Sequence, residues 1–236
     1  MTILYVNGDS HSTAAEAVNK FCFAEDDIKL WNTKGKRLPH PDNLEVSYGN
    51  LLSKKLNTTL ICEAEAASSN DRIIRTTTQY LENNKPDIIV IGWSTWEREE
   101  WYNDEDKIWY QVNCSGIDQV PKKWAQRYKD YILNINWQEK TNLAHEQIWN
   151  FHMLLKNKNI PHLFFNTFNY FFTNSNNKVR DQFNWELNYI QPYNKDMTFV
   201  EYLKNQHCKH NSVHHFGPDG HEKWAEFLLP HLTKLL

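Results

Sequence analysis

Four short apolar runs punctuate an otherwise polar chain: TILYVN (2–7), TTLICEA (58–64), IIVIGWS (88–94) and HLFFNTF (162–168). Each is too short for a buried helix and is rich in β-branched or aromatic residues, so the pattern predicts four strands. Between them the spacing turns helical. Residues 13–22 (TAAEAVNKFC) predict a helix directly after the first strand. Leu51, Leu52 and Leu56 share a face over 48–56, and Ile73, Ile74 and Leu81 do so over 68–84, behind a capping serine. Pro86 and Asp87 stop that helix. Trp124, Tyr128, Ile132, Leu143, Ile148, Phe151 and Leu155 mark a largely helical stretch over 122–157. A short helix is expected over 198–207 and a last one toward the C-terminus. Residues 25–47, with Gly35, Pro39 and Pro41, predict a loop.

Strands alternating with helices imply a parallel sheet covered on both faces. The expected fold class is therefore α/β: a three-layer α/β/α sandwich around a mostly parallel sheet of about five strands. No internal repeat or linker divides the chain, which predicts one domain over 1–236. Two long stretches without clean periodicity, 94–121 and 169–197, are expected as insertions, and such loops usually carry function. Ligands of open parallel sheets bind at the carboxyl ends of the strands.

The chain has 236 residues, is 40% apolar and carries a net charge of -3. Its pI near 6.4 argues against a nucleic-acid partner, which requires a basic stripe. No apolar run approaches a membrane span. The first residues lack the features of a secretory signal, and Cys22, Cys62, Cys114 and Cys208 form no CxxC pair. Reduced thiols and a cytoplasmic location are the expectation. There is neither a GxxxxGK[ST] loop nor a GxGxxG turn, so no nucleotide or dinucleotide cofactor is indicated. His207, Cys208, His210, His214, His215 and His221 lie close in sequence, but their spacing fits no standard zinc site, so no metal is expected.

The candidate chemistry lies at the two ends. Gly8-Asp9-Ser10-His11-Ser12 follows the first strand. A serine there becomes a nucleophile if a base takes its proton, and a turn entering a helix offers free N–H groups to an oxyanion. The same residues also read as simple helix caps. At the other end, His214 and His215 precede Gly217-Pro218, in a loop placed to reach the mouth of the sheet. Trp93 and Trp96 follow the third strand and are expected to line any pocket there, while Glu97 to Glu100 read as a solvated face. Arg72 and Arg75 read as salt-bridge partners of surface carboxylates.

Together the two ends resemble the SGNH (GDSL-type) hydrolase superfamily. Gly8-Asp9-Ser10-His11-Ser12 is similar to its first block, and His215-Phe-Gly-Pro-Asp-Gly220 with Trp224-Ala225 to its last. The resemblance implies Ser10 as nucleophile and His215 as base. It also implies an oxyanion hole from the N–H groups of Ser10 and Ala67 with a side chain of Asn70 or Ser94. Asp9, His11, Trp93, Trp96 and His214 would line the pocket. Three departures stand out. The usual Asp three residues before the His is Ser212, which would then have to orient the ring; Ala67 replaces a Gly; and Gly92-Trp93-Ser94-Thr95 replaces Gly-x-Asn-Asp. A lost oxyanion donor costs about 10²–10³ in turnover, and a lost orienting carboxylate about 10⁴. Glu97, Glu99 and Asp219 are other carboxylates able to supply charge.

The implied activity is hydrolysis of a small-molecule or carbohydrate ester, with carbohydrate O-deacetylation as one form, through a Ser–His dyad or incomplete triad and with no cofactor. The alternative is a catalytically degenerate member that binds a ligand or serves assembly.

Overall fold

The computed structural model describes residues 2–24, 37–114, 120–172 and 183–236. The apolar runs form the strands β1 (Ile3–Asn7), β2 (Thr59–Cys62) and β3 (Ile88–Trp93). Between the first two lie helices α1 (Pro41–Glu45) and α2 (Tyr48–Leu56), and between the next two α3 (Asn70–Asn83). Ser47 and Ser69 cap α2 and α3, each accepting a backbone N–H three residues on.

The stretch after β3 is not irregular throughout. It folds as a hairpin of β4 (Glu99–Asn103) and β5 (Ile108–Val112), paired antiparallel with Trp101 opposite Tyr110. Helices α4 (Ala125–Leu133) and α5 (Trp137–Asn157) follow, then strand β6 (His162–Asn166), and finally α6 (Phe199–Asn205) and α7 (Pro218–Thr233). The expectation for 169–197 falls partly on 173–182, and that for 25–47 partly on 25–36; these lie outside the described residues.

The main sheet is parallel, in the order β2-β1-β3-β6. Among the described residues this sheet has four strands, against the five or so expected; beyond them Tyr189 makes a single parallel bridge to Phe164 of β6. The period-two alternation of the strands divides the core. Leu4, Val6, Ile88, Val90, Leu163 and Phe165 face one layer, where Tyr48 and Leu52 of α2, Phe199 of α6, and Trp224 and Leu228 of α7 are buried. Tyr5, Ile89, Ile91, Trp93 and Phe164 face the other, against Ile73 of α3 and Ile148, Phe151 and Leu155 of α5. The result is three layers. β2 and β3 flank β1 on opposite sides, so the chain changes direction at the carboxyl end of β1, which is where such sheets leave a crevice.

Candidate active site

At the end of β1 the backbone turns at Gly8, whose φ is +156°. A Cβ at this position would sit 2.1 Å from Ser12 Oγ and 2.9 Å from the Gly92 carbonyl, so only glycine lets the chain pass β3 this closely. Asp9 follows, fully buried. Its Oδ1 accepts the His11 N–H at 3.1 Å. Its Oδ2 accepts Ser94 Oγ at 3.1 Å, Arg98 Nη1 at 3.3 Å and Thr167 Oγ1 at 3.5 Å. One carboxylate thus ties together the segments that follow β1, β3 and β6.

The helix expected over 13–22 does not form. Residues 10–16 make successive turns, with Ala14 and Glu16 in the left-handed region at φ +54° and +61°. Tertiary acceptors take the N–H groups a helix would have used: Asn43 Oδ1 accepts from Val18 (3.0 Å) and Asn19 (2.8 Å). Thr13 Oγ1 donates to the Ser10 carbonyl at 3.0 Å, a local bond that also competes with helix. Each left-handed non-glycine residue costs roughly 1–2 kcal/mol. Their effect is to carry Glu16 across to the loop before α7.

That loop is organised by Asn211. Its Oδ1 accepts the N–H groups of Val213 and His215, both at 3.0 Å, and its Nδ2 donates to Glu16 Oε2 at 2.6 Å. The same Glu16 oxygen receives His215 Nδ1 at 2.8 Å. A carboxylate on Nδ1 holds the proton there and leaves Nε2 as the acceptor, the form a general base requires. The group at His215 Nδ1 is the Glu16 carboxylate and not the Ser212 hydroxyl expected there; Ser212 is exposed.

Ser10, His215, Glu16 and Ala67 line one open hollow of about 450 Å³ at the carboxyl end of the sheet. Ser10 Oγ has its hydrogen-bond partner among the described residues in His11 Nδ1, at 3.4 Å, and makes no bond to His215. His11 also lines the hollow, packed on Phe168 with its ring edge-on to His215 at 5.3 Å. Burial pushes its pKa down to about 4, so it is neutral and a poor base at pH 7.

The N–H groups of Ser10 and Ala67 make no hydrogen bond among the described residues. Ala67 has φ +68°, in the left-handed region that favours glycine. Its turn is braced from beneath by Glu65, 1% exposed, which pairs with Arg37 and Arg72 at 2.8 Å each and accepts from Gln111 at 3.1 Å. Arg72 is thus an internal salt-bridge partner, and Arg75 pairs likewise with Glu100.

The side-chain donors expected from Asn70 and Ser94 are occupied elsewhere. Asn70 Oδ1 accepts the Ser94 N–H at 2.9 Å, its Nδ2 donates to the Ser94 carbonyl at 3.4 Å, and Ser94 Oγ is given to Asp9. Four pocket assignments also change. Trp93 is buried in the core against Phe151 and Phe164 because it lies on the sheet face away from the hollow. Trp96 stacks on Phe171 at 5.1 Å and borders a separate recess beside α5. Asp9 lies beneath the floor. His214, at φ +64°, packs edge-on to Phe168 beside the hollow rather than lining it.

The far wall comes from the segments flanking the hairpin: Glu97, Arg98, Asn113 and Cys114. The charge run in the sequence predicts a solvated face for the first two, whereas they border the hollow. In β4, Glu100 points inward to Arg75, while Glu99 pairs with Lys140 and accepts Trp101 Nε1 at 2.6 Å. Glu16 carried no sequence signal, since its role depends on the helix that fails to form. Among the described residues no group of three His, Cys, Asp or Glu side chains is arranged to hold a metal, and no helix is long and apolar enough to cross a membrane.

Among solved structures the chain is similar to TesA, with 12% identity, complete coverage of both chains and a TM-score of 0.51. It also matches LAE5, an α/β hydrolase from the metagenome of Lake Arreo, at 13% identity and TM-score 0.47, covering 100% of this chain and 96% of that one. A third is the acetyl xylan esterase Est2A from the rumen bacterium Butyrivibrio proteoclasticus, at 12% identity and TM-score 0.45; 99% of this chain matches, spanning 64% of the esterase. The likeness to TesA shows a shared α/β fold, the one the sequence implied. No curated protein sequence matches. The family of unknown function DUF6071 matches residues 42–182, a segment that holds Ala67 and Arg98 and is flanked by the Ser10 and His215 loops. That segment is more than half of the chain, and the protein belongs to the DUF6071 family.

Proposed function

We propose that this protein is a serine ester hydrolase. The observation that carries the reading is the His215–Glu16 pair facing Ser10 across one hollow, beside two unspent N–H groups. Rotation of Ser10 Oγ away from His11 lets it pass its proton to His215 Nε2 and attack an ester carbonyl. The new C–O bond turns the carbonyl oxygen into an alkoxide, which the N–H groups of Ser10 and Ala67 are placed to receive. His215 returns the proton to the departing alcohol, and a water activated by the same ring cleaves the acyl-serine. Glu16 keeps the ring in the required tautomer and stabilises its charged form, in place of the missing Asp. No cofactor enters.

The open hollow and its polar wall of Glu97 and Asn113 suit a hydroxyl-rich alcohol, which favours a carbohydrate ester and makes O-deacetylation the first activity to assay. The four free cysteines support a reducing, cytoplasmic setting. The test is turnover of p-nitrophenyl acetate and acetylated sugars by the wild type, Ser10→Ala and His215→Ala. Both variants are expected to lose activity about 10³-fold or more. Equal background in all three would favour the ligand-binding or assembly role on the same scaffold.

A further inference from the structure

The hollow lacks a side-chain donor at the place where Asn70 and Ser94 were expected, because each is bonded within the protein. Arg98 stands four residues beyond Ser94 on the same wall and lines the hollow with Ser10 and Ala67. Its Nη1 is held by three acceptors: Ser94 Oγ at 2.9 Å, Asp9 Oδ2 at 3.3 Å and the Ser68 carbonyl at 3.5 Å. These come from the ends of three separate segments, so the guanidinium plane is fixed. Its other nitrogens are not spent: Nε is buried without a partner, and Nη2 makes no bond among the described residues.

The geometry points to Arg98 as a catalytic residue, the third oxyanion donor of this site, a charged one in place of an amide. This rests on the hydrolase reading above. The charges around it separate this role from capture of an anionic substrate. Asp9 already answers the guanidinium charge, and Glu16 and Glu97 line the same hollow. With carboxylates outnumbering it, Arg98 has little attraction for an anionic ester. Its donors gain strength only as the carbonyl oxygen becomes negative, which is transition-state rather than ground-state binding.

The experiment compares wild type, Arg98→Lys and Arg98→Met in p-nitrophenyl acetate turnover, with kcat and KM resolved, alongside labelling of Ser10 by a fluorophosphonate. The expected result is a kcat lower by about 10²–10³-fold with KM nearly unchanged. Added guanidinium chloride should partly restore Arg98→Met and leave the wild type unaffected. Arg98→Lys still neutralises Asp9, so it carries the test should Arg98→Met fail to fold, as judged by circular dichroism. A folded Arg98→Lys with wild-type kcat and normal Ser10 labelling overturns the assignment and leaves the hydrolase reading intact. A rise in KM at unchanged kcat also overturns it, in favour of substrate binding alone. A wild type unlabelled at Ser10 overturns the hydrolase reading and this assignment with it.

Discussion

Glu16 Oε2 lies 2.8 Å from His215 Nδ1, although 199 residues separate the two along the chain. The contact requires the turns after β1 to stay out of helix and Asn211 to pin the facing loop from the same carboxylate oxygen. Replacing Glu16 by Gln keeps the shape and removes the charge. In the proposed mechanism, turnover then falls by up to about 10⁴-fold, the cost of losing an orienting carboxylate in the serine-protease template. Glu16 is partly exposed, so the melting temperature should barely move. An unchanged kcat/KM for Glu16→Gln would remove Glu16 from the mechanism.

Ala67 pays for its left-handed backbone. Glycine adopts φ +68° without the Cβ clash, at some cost in unfolded-chain entropy. Ala67→Gly is therefore expected to raise unfolding free energy by up to about 1 kcal/mol, read from urea titration, while leaving turnover intact. Ala67→Val, β-branched at the same φ, should destabilise and should slow turnover by displacing the N–H. A Val variant as stable and active as the wild type would contradict the strained-turn account.

Glu65 sits between two guanidinium groups whose side chains are each only 5% exposed. Neutralising it removes the carboxylate that pairs with both Arg37 and Arg72. Glu65→Gln is expected to cost about 3–5 kcal/mol of stability, the range for removing one partner of a buried ion pair. Activity should fall with it, because this network carries the Ala67 turn. A thermal melt of Glu65→Gln superimposable on wild type would show the network to be dispensable.

Five buried histidines set an acid limit. Burial depresses the pKa of His11, His145, His152 and His162 to about 4 and of His221 to about 3. In the folded protein they stay neutral down to those values, whereas in the unfolded chain they take protons below about 6.5. Their neutral burial is therefore free of penalty above pH 6.5 and destabilises progressively as the pH falls toward 4. Each adds a slope of about 1.4 kcal/mol per pH unit in that window. The melting temperature should be flat above pH 7 and drop steeply from pH 6.5 to 5. A flat profile through that range would contradict their burial as neutral rings.

The strands were legible because each apolar run has one face for each helical layer, as Leu4 and Val6 against Tyr5 show. Helices α2, α3 and α5 were legible for the same reason, with a capping serine marking the start of α3. The stretch 13–22 misled because its local preference for helix is overridden by Asn43, a residue more than twenty positions away. The hairpin escaped notice because Glu100, charged yet buried on Arg75, breaks the alternation that would have revealed β4. The same limits apply at the site. Ser10 and His215 stand in recognisable local patterns. Glu16 and Arg98 acquire their places only through tertiary contacts, and Asn70 and Ser94 are withdrawn by contact with each other.

In the proposed mechanism Ser10 is an activated nucleophile under the control of His215. The direct measurement is intact-protein and peptide mass spectrometry after brief exposure to a fluorophosphonate at pH 8, on wild type, Ser10→Ala and His215→Asn. One adduct per chain, mapped to Ser10, absent from Ser10→Ala and strongly slowed in His215→Asn, is the predicted result. No adduct on the wild type, or one that persists at full rate without His215, would contradict it.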